Sequence, residues 1–162
     1  MRVALITVML VALDQATKYL AVTSLKPMGS VVVINGFFNL SYVENSGAAW
    51  GILAGRQYLL ISFSIVTLIF LIWHRKHLFE HLWFSPFTMI LILGGVIGNL
   101  IDRVLHSYVI DFLDFHWRGA HFPAFNVADA AICCGVFLFV LTQWHHDLRK
   151  GKSDVNTPAQ PQ

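Results

Sequence analysis

The sequence predicts an all-α membrane protein with four transmembrane helices, both termini in the cytoplasm, and a small β-rich element at about residues 26–51 on the outer, periplasmic side. Hydrophobic residues make up 56% of the chain and charged residues 12%, and the mean hydropathy is +0.63, whereas a soluble domain carries about 25% charged residues. Four apolar stretches are long enough to cross the roughly 30 Å hydrocarbon core of a bilayer. The basic residues that flank them are distributed unequally between the two sides.

The four predicted spans are residues 3–25, 52–73, 82–101 and 122–144. At a rise of about 1.5 Å per residue, each is long enough to cross the bilayer as an α-helix. The first begins like a signal peptide, because Arg2 precedes an apolar run. That run continues without a small-residue cleavage site followed by a soluble domain. We therefore interpret it as an uncleaved spanning helix.

The orientation of the spans follows from the Lys and Arg residues at their ends, which are enriched on the cytoplasmic side of membrane proteins. One side carries Arg2, Arg75, Lys76, Arg149, Lys150 and Lys152, and the other carries Lys26, Arg56 and Arg118. This distribution predicts that both termini and the short loop 74–81 are cytoplasmic.

The segments outside the spans differ in character. Residues 31–34 and 37–43 are β-favouring runs that flank the turn pair Asn35-Gly36, which predicts a hairpin within 26–51. Residues 104–121 are short and aromatic, and we expect them to lie along the membrane interface. Residues 1–146 form a single four-helix domain in this interpretation. Residues 147–162 are predicted to be a disordered cytoplasmic tail.

Polar residues from three different spans are predicted to meet in the outer leaflet. Charged groups in lipid are costly and usually face a bundle interior or a wet cavity, so their convergence indicates a functional site. The residues are Asp14 and Lys18 in the first span, Asn99, Asp102 and Arg103 in the last turns of the third, and Asn126 and Asp129 in the first turns of the fourth.

Several of these residues have ordinary structural interpretations. Asp14 and Lys18, at i and i+4 on one helix face, would form an ion pair that only orients the first span. Asp102 would be interfacial, and the spacing of Gly94 and Gly98 is typical of close helix packing. The position of Asp129 inside a span is harder to explain by structure alone, because no basic residue lies within a turn of it and an apolar run follows.

A buried carboxyl group such as Asp129 tends to hold a proton, because desolvation disfavours its charged form. A second carboxyl nearby separates the two proton affinities, so that one group is protonated while the other is ionised. An aspartyl protease uses such a pair: one carboxylate takes a proton from water, and its protonated partner polarises the scissile carbonyl. Asp102, Asp111 and Asp114 are all candidates for the partner, and the residue pattern does not choose among them.

Other enzyme classes fit less well. A Ser–Lys protease would use Lys18 and Ser46, but Lys18 lies inside the membrane and the converging helix faces contain no serine. A zinc protease is disfavoured because the eight histidines are scattered and no His-Glu-x-x-His sequence occurs.

Two further classes remain as alternatives. A proton-coupled transporter would need polar residues towards the inner leaflet, where the second span offers only Ser62, Ser64 and Thr67. A purely structural four-helix protein leaves the cost of burying Asp129 unexplained. No basic stripe with exposed aromatic residues is present, so nucleic acid is not an expected partner.

Several motifs, taken in order along the chain, resemble those of the lipoprotein signal peptidases, also called signal peptidase II. They are DQxxK at 14–18, ENSGAAWG at 44–51, GGVIGNLIDR at 94–103, VIDF at 109–112 and FNVADA at 125–130. The blocks extend from the first span to the fourth. Trp50 departs from the pattern, because phenylalanine is more usual there.

The resemblance implies that Asp111 and Asp129 form the catalytic pair of an intramembrane aspartic endopeptidase that needs no metal or organic cofactor. The substrate would be a bacterial prolipoprotein whose cysteine carries a diacylglyceryl group, cut just before that cysteine. The enzyme would be a multi-pass protein of the bacterial inner membrane with its site towards the outer leaflet, and no oligomeric partner is indicated. The supporting residues implied are Asp14, Lys18, Asn45, Gly47, Asn99, Arg103 and Asn126.

Overall fold

The computed structural model describes residues 2–79 and 85–155. Most of this chain is helical, and a small sheet is attached to one end of the helices. The elements in chain order are α1 (Arg2–Leu20), continued by one π-helical turn (Ala21–Leu25), β1 (Ser30–Ile34), β2 (Phe38–Asn45), a 3-10 turn (Ala49–Gly51), α2 (Gln57–Trp73), α3 (Arg75–Phe79), α4 (Ser85–His106), β3 (Val109–Trp117), β4 (Ala120–His121) and α5 (Val127–Val155).

Three helical segments within the described ranges are long and apolar enough to cross a membrane: Arg2–Leu25, Pro86–His106 and Val127–Arg149. The second predicted span is represented by α2, which is apolar but only 17 residues long, or about 26 Å at 1.5 Å per residue. It begins at Gln57 rather than at 52. Leu53 and Gly55 before it adopt positive φ, a conformation that cannot continue an α-helix.

The boundaries of the last two predicted spans are corrected by the structure. Helix α4 continues to His106, and α5 begins at Val127 because residues 122–126 run in extended conformation beside β3. At its other end α5 extends to Val155, so residues 147–155 are helical where the sequence predicted a disordered tail. Helix-favouring Leu, Arg and Lys residues at 148–150 sustain the helix beyond the apolar run. Residues 82–84 and 156–162 of the predicted elements lie outside the described residues.

Helix α4 packs between α1 and α5 through its glycines. A Cβ on Gly94 would lie 2.7 Å from Leu10 Cδ2 of α1, and one on Gly98 would lie 2.5 Å from Asp14 Oδ2. On the other side, a Cβ on Gly95 would collide with the backbone oxygen of Ala128 in α5. The close packing predicted from the spacing of Gly94 and Gly98 is therefore confirmed.

The four strands form an antiparallel sheet in the order β1-β2-β3-β4. Strands β1 and β2 form the predicted hairpin, in which Ile34 pairs with Phe38 and Gly36 has φ of +73° in the intervening loop. Residues 109–117, within the segment 104–121, form β3, a strand that the sequence did not predict. The first half of β3 is buried on both faces, so it lacks the apolar–polar alternation by which a half-buried strand is recognised.

Strand β3 is anchored both to α1 and to the segment before α5. Ile110 and Phe112 pack in a buried cluster with Ala21 and Leu25 from the π-helical turn. The amides of Phe112 and Leu113 both donate to the backbone oxygen of Phe125, at 3.1 and 2.9 Å. These contacts hold the start of β3 beside the first turn of α5.

Replacement of Gly95 by alanine should destabilise the protein by about 1–3 kcal/mol, because the new methyl group overpacks the α4–α5 contact and the opposing atom is backbone. Thermal unfolding in detergent measures the effect. Val104→Ala is the control, since Val104 is 62% exposed on the same helix. An equal loss of stability in the two variants would contradict the close α4–α5 packing.

Candidate active site

Asp129 is held by the geometry of a helix start. Asn126 precedes α5, and its Oδ1 accepts the Asp129 N–H at 2.9 Å, while Asp129 Oδ2 accepts the Asn126 N–H at 3.2 Å. This reciprocal arrangement is a capping box, in which side chains satisfy the free amides of the first helical turn. The other carboxylate oxygen, Oδ1, accepts a hydrogen bond of 2.6 Å from Asn99 Nδ2 on α4.

Asp111 lies on β3, is 1% exposed, and is bound by two asparagines. Its Oδ1 accepts from Asn126 Nδ2 at 2.7 Å, and its Oδ2 accepts from Asn45 Nδ2 at 2.9 Å. Asn45, at the end of β2, is oriented by the Gly47 N–H, which donates to its Oδ1 at 2.9 Å. The single side chain of Asn126 therefore binds Asp111 with its amide nitrogen and the capping turn of Asp129 with its oxygen.

Burial, and after it the neighbouring charge of Asp129, raise the pKa of Asp111 to about 7, although hydrogen bonds from Asn45 and Asn126 oppose the shift. A carboxyl group with such a pKa exchanges its proton near neutral pH. It is therefore suited to act as a proton donor or acceptor.

The other two aspartates left open by the sequence have different partners. Asp102 is fully buried and pairs with Lys18 at 3.0 Å. Asp114 pairs with His121 at 2.7 Å and accepts from Ser41 at 3.2 Å. Burial raises the pKa of Asp114, but these hydrogen bonds outweigh it and hold the pKa below its usual value. Within residues 2–79 and 85–155, Asp111 alone of the three shares a hydrogen-bonding side chain with Asp129.

Asp14 and Lys18 form the predicted ion pair, with 2.9 Å between Lys18 Nζ and Asp14 Oδ2. Lys18 Nζ also contacts Asp102 and the Asn99 side-chain oxygen, each at 3.0 Å. These three acceptors use all three donors of the ammonium group. Ser46 is exposed on the loop after β2. Because the Lys18 ammonium is buried and already bound to three acceptors, it is not suited to act as a base for Ser46.

Arg103 connects the site to the loop after β2. Its Nη2 donates to the backbone oxygen of Gly47 at 3.4 Å, and its Nη1 donates to the backbone oxygen of Asn99 at 3.5 Å. Both bonds are long, and its Nε has no hydrogen-bond partner among the described residues. The guanidinium interacts electrostatically with Asp129 and Asp111. Arg103 therefore retains hydrogen-bonding capacity towards a bound molecule.

A cavity of about 350 Å³ lies beside these groups. Its polar contributors include Asn45, Arg103 and Asp129, and most of the remaining lining is apolar. Trp50 and Phe122 contact each other edge to face, with ring centroids 5.9 Å apart. The lining residues are Asn45, Ala48, Ala49, Trp50, Arg103, Val109, Phe122, Pro123, Ala124, Phe125, Asp129, Ala130, Ile132 and Cys133.

The sequence interpretation missed the contribution of residues 122–125 to this cavity, because it placed them inside the fourth span. Pro123 was the available signal, since proline lacks an amide donor and favours a position at or before a helix start. Gly47 was predicted as a supporting residue. Its packing is tight, because a Cβ there would lie 2.8 Å from the Ile52 oxygen.

No group of three His, Cys, Asp or Glu side chains within the described ranges is arranged to hold a metal ion. The arrangement that is present consists of two carboxyl groups bridged by one asparagine, a cation beside them, and a largely apolar cavity. These groups are suited to proton transfer at a polar bond of a molecule that is otherwise apolar.

The raised pKa of Asp111 makes stability depend on pH. The unfolded chain releases this proton near pH 3.8, whereas the folded protein keeps it until about pH 7, so wild-type stability should fall between these values. In Asp111→Asn this position has no titratable group, so its contribution to the pH dependence is removed. The stability of this variant relative to wild type should rise by up to about 1.4 kcal/mol per pH unit from pH 4 to 7 and then level off.

Thermal unfolding across pH 4–8 measures this difference. Asp147→Asn is the control, because the Asp147 side chain is 76% exposed. A difference between Asp111→Asn and wild type that stays constant with pH would contradict the raised pKa.

Comparison with known proteins identifies the family. The family model described as "Signal peptidase (SPase) II" matches residues 6–145. A lipoprotein signal peptidase of Syntrophotalea carbinolica is 47% identical over 148 residues, covering 90% of this chain and 92% of the relative. One of Caldanaerobacter subterraneus subsp. tengcongensis is 48% identical over 134 residues, covering 82% and 89%.

The fold has a solved counterpart in a bacterial membrane enzyme determined by the in meso method at 2.3 Å resolution. The two chains superpose with a TM-score of 0.79 at 35% sequence identity, and the match covers 99% of this chain and 94% of the other. The family match spans most of the chain, including α1, the sheet, α4 and the first turns of α5. The chain therefore belongs to the signal peptidase II family.

Proposed function

We propose that this protein is an intramembrane aspartic endopeptidase that removes the signal peptide from diacylglyceryl-modified prolipoproteins by cleaving just before the lipidated cysteine. Its relatives are named lipoprotein signal peptidases, and signal peptide removal from prolipoproteins is the activity of this family. The observation that carries the assignment of catalytic residues is the bridge formed by Asn126 between Asp111 and the capping turn of Asp129.

In the resting site we assign one proton to the pair and place it on Asp111. Asp129 is the ionised partner because its carboxylate accepts from Asn99 and from the Asn126 amide, and because the helix dipole favours negative charge in the first turn of α5. The charges of Arg103 and Lys18 also act on it. Asp111 lies on β3, away from a helix start, and its burial raises its pKa to about 7.

This assignment gives each carboxyl group a step in peptide hydrolysis. Asp129 takes a proton from water as the water oxygen attacks the scissile carbonyl carbon. Asp111 donates its proton to the carbonyl oxygen, which yields a tetrahedral diol. As the C–N bond breaks, the proton held by Asp129 passes to the leaving nitrogen. Asp111 recovers a proton from the collapsing diol, so the pair ends in its starting state.

The cavity supplies features that a lipidated peptide requires. Arg103 and Asn45 reach it with donors suited to peptide carbonyl oxygens. The apolar lining, including Trp50, Phe122 and Cys133, suits the acyl chains of the substrate cysteine. Since binding energy at remote parts of a substrate can position the scissile bond, lipid contacts here would place that bond at the carboxyl pair.

Cleavage of a diacylglyceryl-modified prolipoprotein in detergent or liposomes tests the assignment. Asp111→Asn and Asp129→Asn should each lose at least about 10²-fold in kcat, because acid–base catalysis contributes on that scale. Asp114→Asn and Ser46→Ala are matched controls that should remain active. A non-lipidated precursor should be cleaved poorly by the wild type.

Three results would overturn these assignments. Full activity of either asparagine variant would remove that residue from the catalytic pair, and loss of activity in Ser46→Ala alone would favour a Ser–Lys mechanism. Equal cleavage of lipidated and non-lipidated precursors would remove the proposed role of the acyl chains.

We further propose that the chain crosses the bacterial inner membrane four times, with α2 as the second crossing, both termini cytoplasmic, and the sheet and active site towards the outer leaflet. Residues 1–146 would then be one protease domain. The distribution of Lys and Arg supports this orientation. The apolar character of α2 supports its assignment as a crossing, since a short span is accommodated by local bilayer thinning at modest cost.

Cysteine labelling in intact cells tests the topology. In a chain with Cys133→Ala and Cys134→Ala, Asn35→Cys in the hairpin loop should react with a membrane-impermeant maleimide. Asp147→Cys, near the end of α5, should react only after the cells are permeabilised. Labelling of Asp147→Cys in intact cells would place the carboxyl-terminal end of α5 outside and contradict the four-crossing arrangement.

A further inference from the structure

We propose that the buried cluster Asp14–Lys18–Asp102 positions the backbone next to both catalytic aspartates and so keeps the two carboxyl groups at their relative position. The inference rests on the catalytic pair proposed above. The cluster lies on α1 and α4, and its three residues are at most 1% exposed. None of the three takes part in the proton transfers derived for Asp111 and Asp129.

Lys18 is the centre of the cluster. Its Nζ lies 2.9 Å from Asp14 Oδ2 and 3.0 Å from Asp102 Oδ2. Gln15 adds a neutral bridge, because its Nε2 donates to Asp14 Oδ2 at 3.2 Å and to Asp102 Oδ1 at 3.0 Å. The two carboxylates are therefore held at a set separation by one ammonium group and one amide.

Each carboxylate also binds the amide directly before one catalytic aspartate. Asp14 Oδ1 accepts the Ala128 N–H at 2.9 Å, and Ala128 precedes Asp129. Asp102 Oδ2 accepts the Ile110 N–H at 3.0 Å, and Ile110 precedes Asp111. The Ala128 amide is one of the first-turn donors that a helix cannot satisfy internally. Asp14 therefore caps α5 from a different helix.

Asn99 provides a third connection from Lys18. Its Oδ1 accepts from Lys18 Nζ at 3.0 Å and from Asn126 Nδ2 at 3.2 Å. Two donors at the oxygen require the amide nitrogen to face the other way, towards Asp129 Oδ1. The ammonium thereby fixes which end of Asn99 meets the catalytic carboxylate.

This pattern is better explained by positioning than by stability. A buried ion cluster is a weak source of stability, because well-packed apolar replacements are often neutral or stabilising. The cluster instead connects to the chain at the residues preceding Asp111 and Asp129 and at Asn99. Small displacements of reacting groups are costly, since about 1 Å can reduce a rate 10²-fold.

Gly98 allows a test that changes no polar group. A Cβ on Gly98 would lie 2.5 Å from Asp14 Oδ2, so Gly98→Ala forces that carboxylate and α4 apart. The same Cβ would lie 3.2 Å from the Ala128 side chain on α5. Gly94→Ala is the matched control, because it lies one turn earlier on the same face of α4 and the three atoms nearest to its Cβ all belong to Leu10. Both substitutions overpack the α1–α4 contact, but only Gly98→Ala places its methyl group against the cluster.

The experiment measures kcat and KM for a diacylglyceryl-modified prolipoprotein, together with thermal unfolding, for purified full-length variants. Gly98→Ala should lower kcat at least about 10-fold with KM within about twofold, whereas Gly94→Ala should keep its kcat at a similar loss of unfolding temperature. Asp14→Asn, which keeps an oxygen to accept the Ala128 N–H, should retain at least about 10-fold more kcat than Asp14→Leu.

Equal kcat losses in Gly94→Ala and Gly98→Ala, or in Asp14→Asn and Asp14→Leu, would overturn the inference. Asp111→Asn is assayed in parallel, so that failure of the positioning role can be distinguished from failure of the proposed catalytic pair. If it is inactive while Gly98→Ala keeps full kcat, the positioning role alone fails. If Asp111→Asn is active, the proposed catalytic pair fails and the inference fails with it.

Discussion

A carboxylate buried among apolar helices is costly unless hydrogen-bond donors or a cation surround it, and much of this structure follows from meeting that requirement. Asp14, Asp102 and Asp111 are each at most 1% exposed. Their donors come from α1, β2, β3, the residue before α5 and the first turn of α5. Because each donor must reach its oxygen within about 3 Å, the carboxylates determine how closely the helices and the sheet approach one another. The glycines of α4 permit that approach.

The same contacts connect fold and chemistry. Asn126 caps α5 and also binds Asp111, so helix initiation and the proposed pairing of the two aspartates depend on one side chain. Lys18 pairs with two carboxylates and also orients Asn99 towards Asp129. Groups that bind one another this tightly are expected to respond non-additively to substitution. For that reason the steric variants of α4, which remove no polar group, separate positioning from charge more cleanly than deletions do.

Several features were accessible from sequence because they depend on local pattern. The apolar runs predicted the helices, Asn35-Gly36 predicted the β1–β2 hairpin, and the i, i+4 spacing of Asp14 and Lys18 predicted their ion pair. Strand β3 was missed because its pairing partner β2 lies more than 60 residues away in the chain and its first half is buried on both faces. The start of α5 was misplaced for a related reason, since residues 122–125 are apolar but bind to β3 instead of forming a helical turn.

The sequence by itself determined that this is a membrane protein of the signal peptidase II type and which polar residues had to converge, because composition, helical spacing and ordered motifs are local properties of the chain. It left Asp102, Asp111 and Asp114 as equivalent partners for Asp129 until the family resemblance was considered. Only the tertiary structure distinguished them physically. Asp102 pairs with Lys18, Asp114 pairs with His121, and Asp111 binds the asparagine that caps α5 at Asp129. Those pairings depend on the register of β3 and the packing of α4 between α1 and α5, and no local spacing encodes contacts between residues so far apart in the chain.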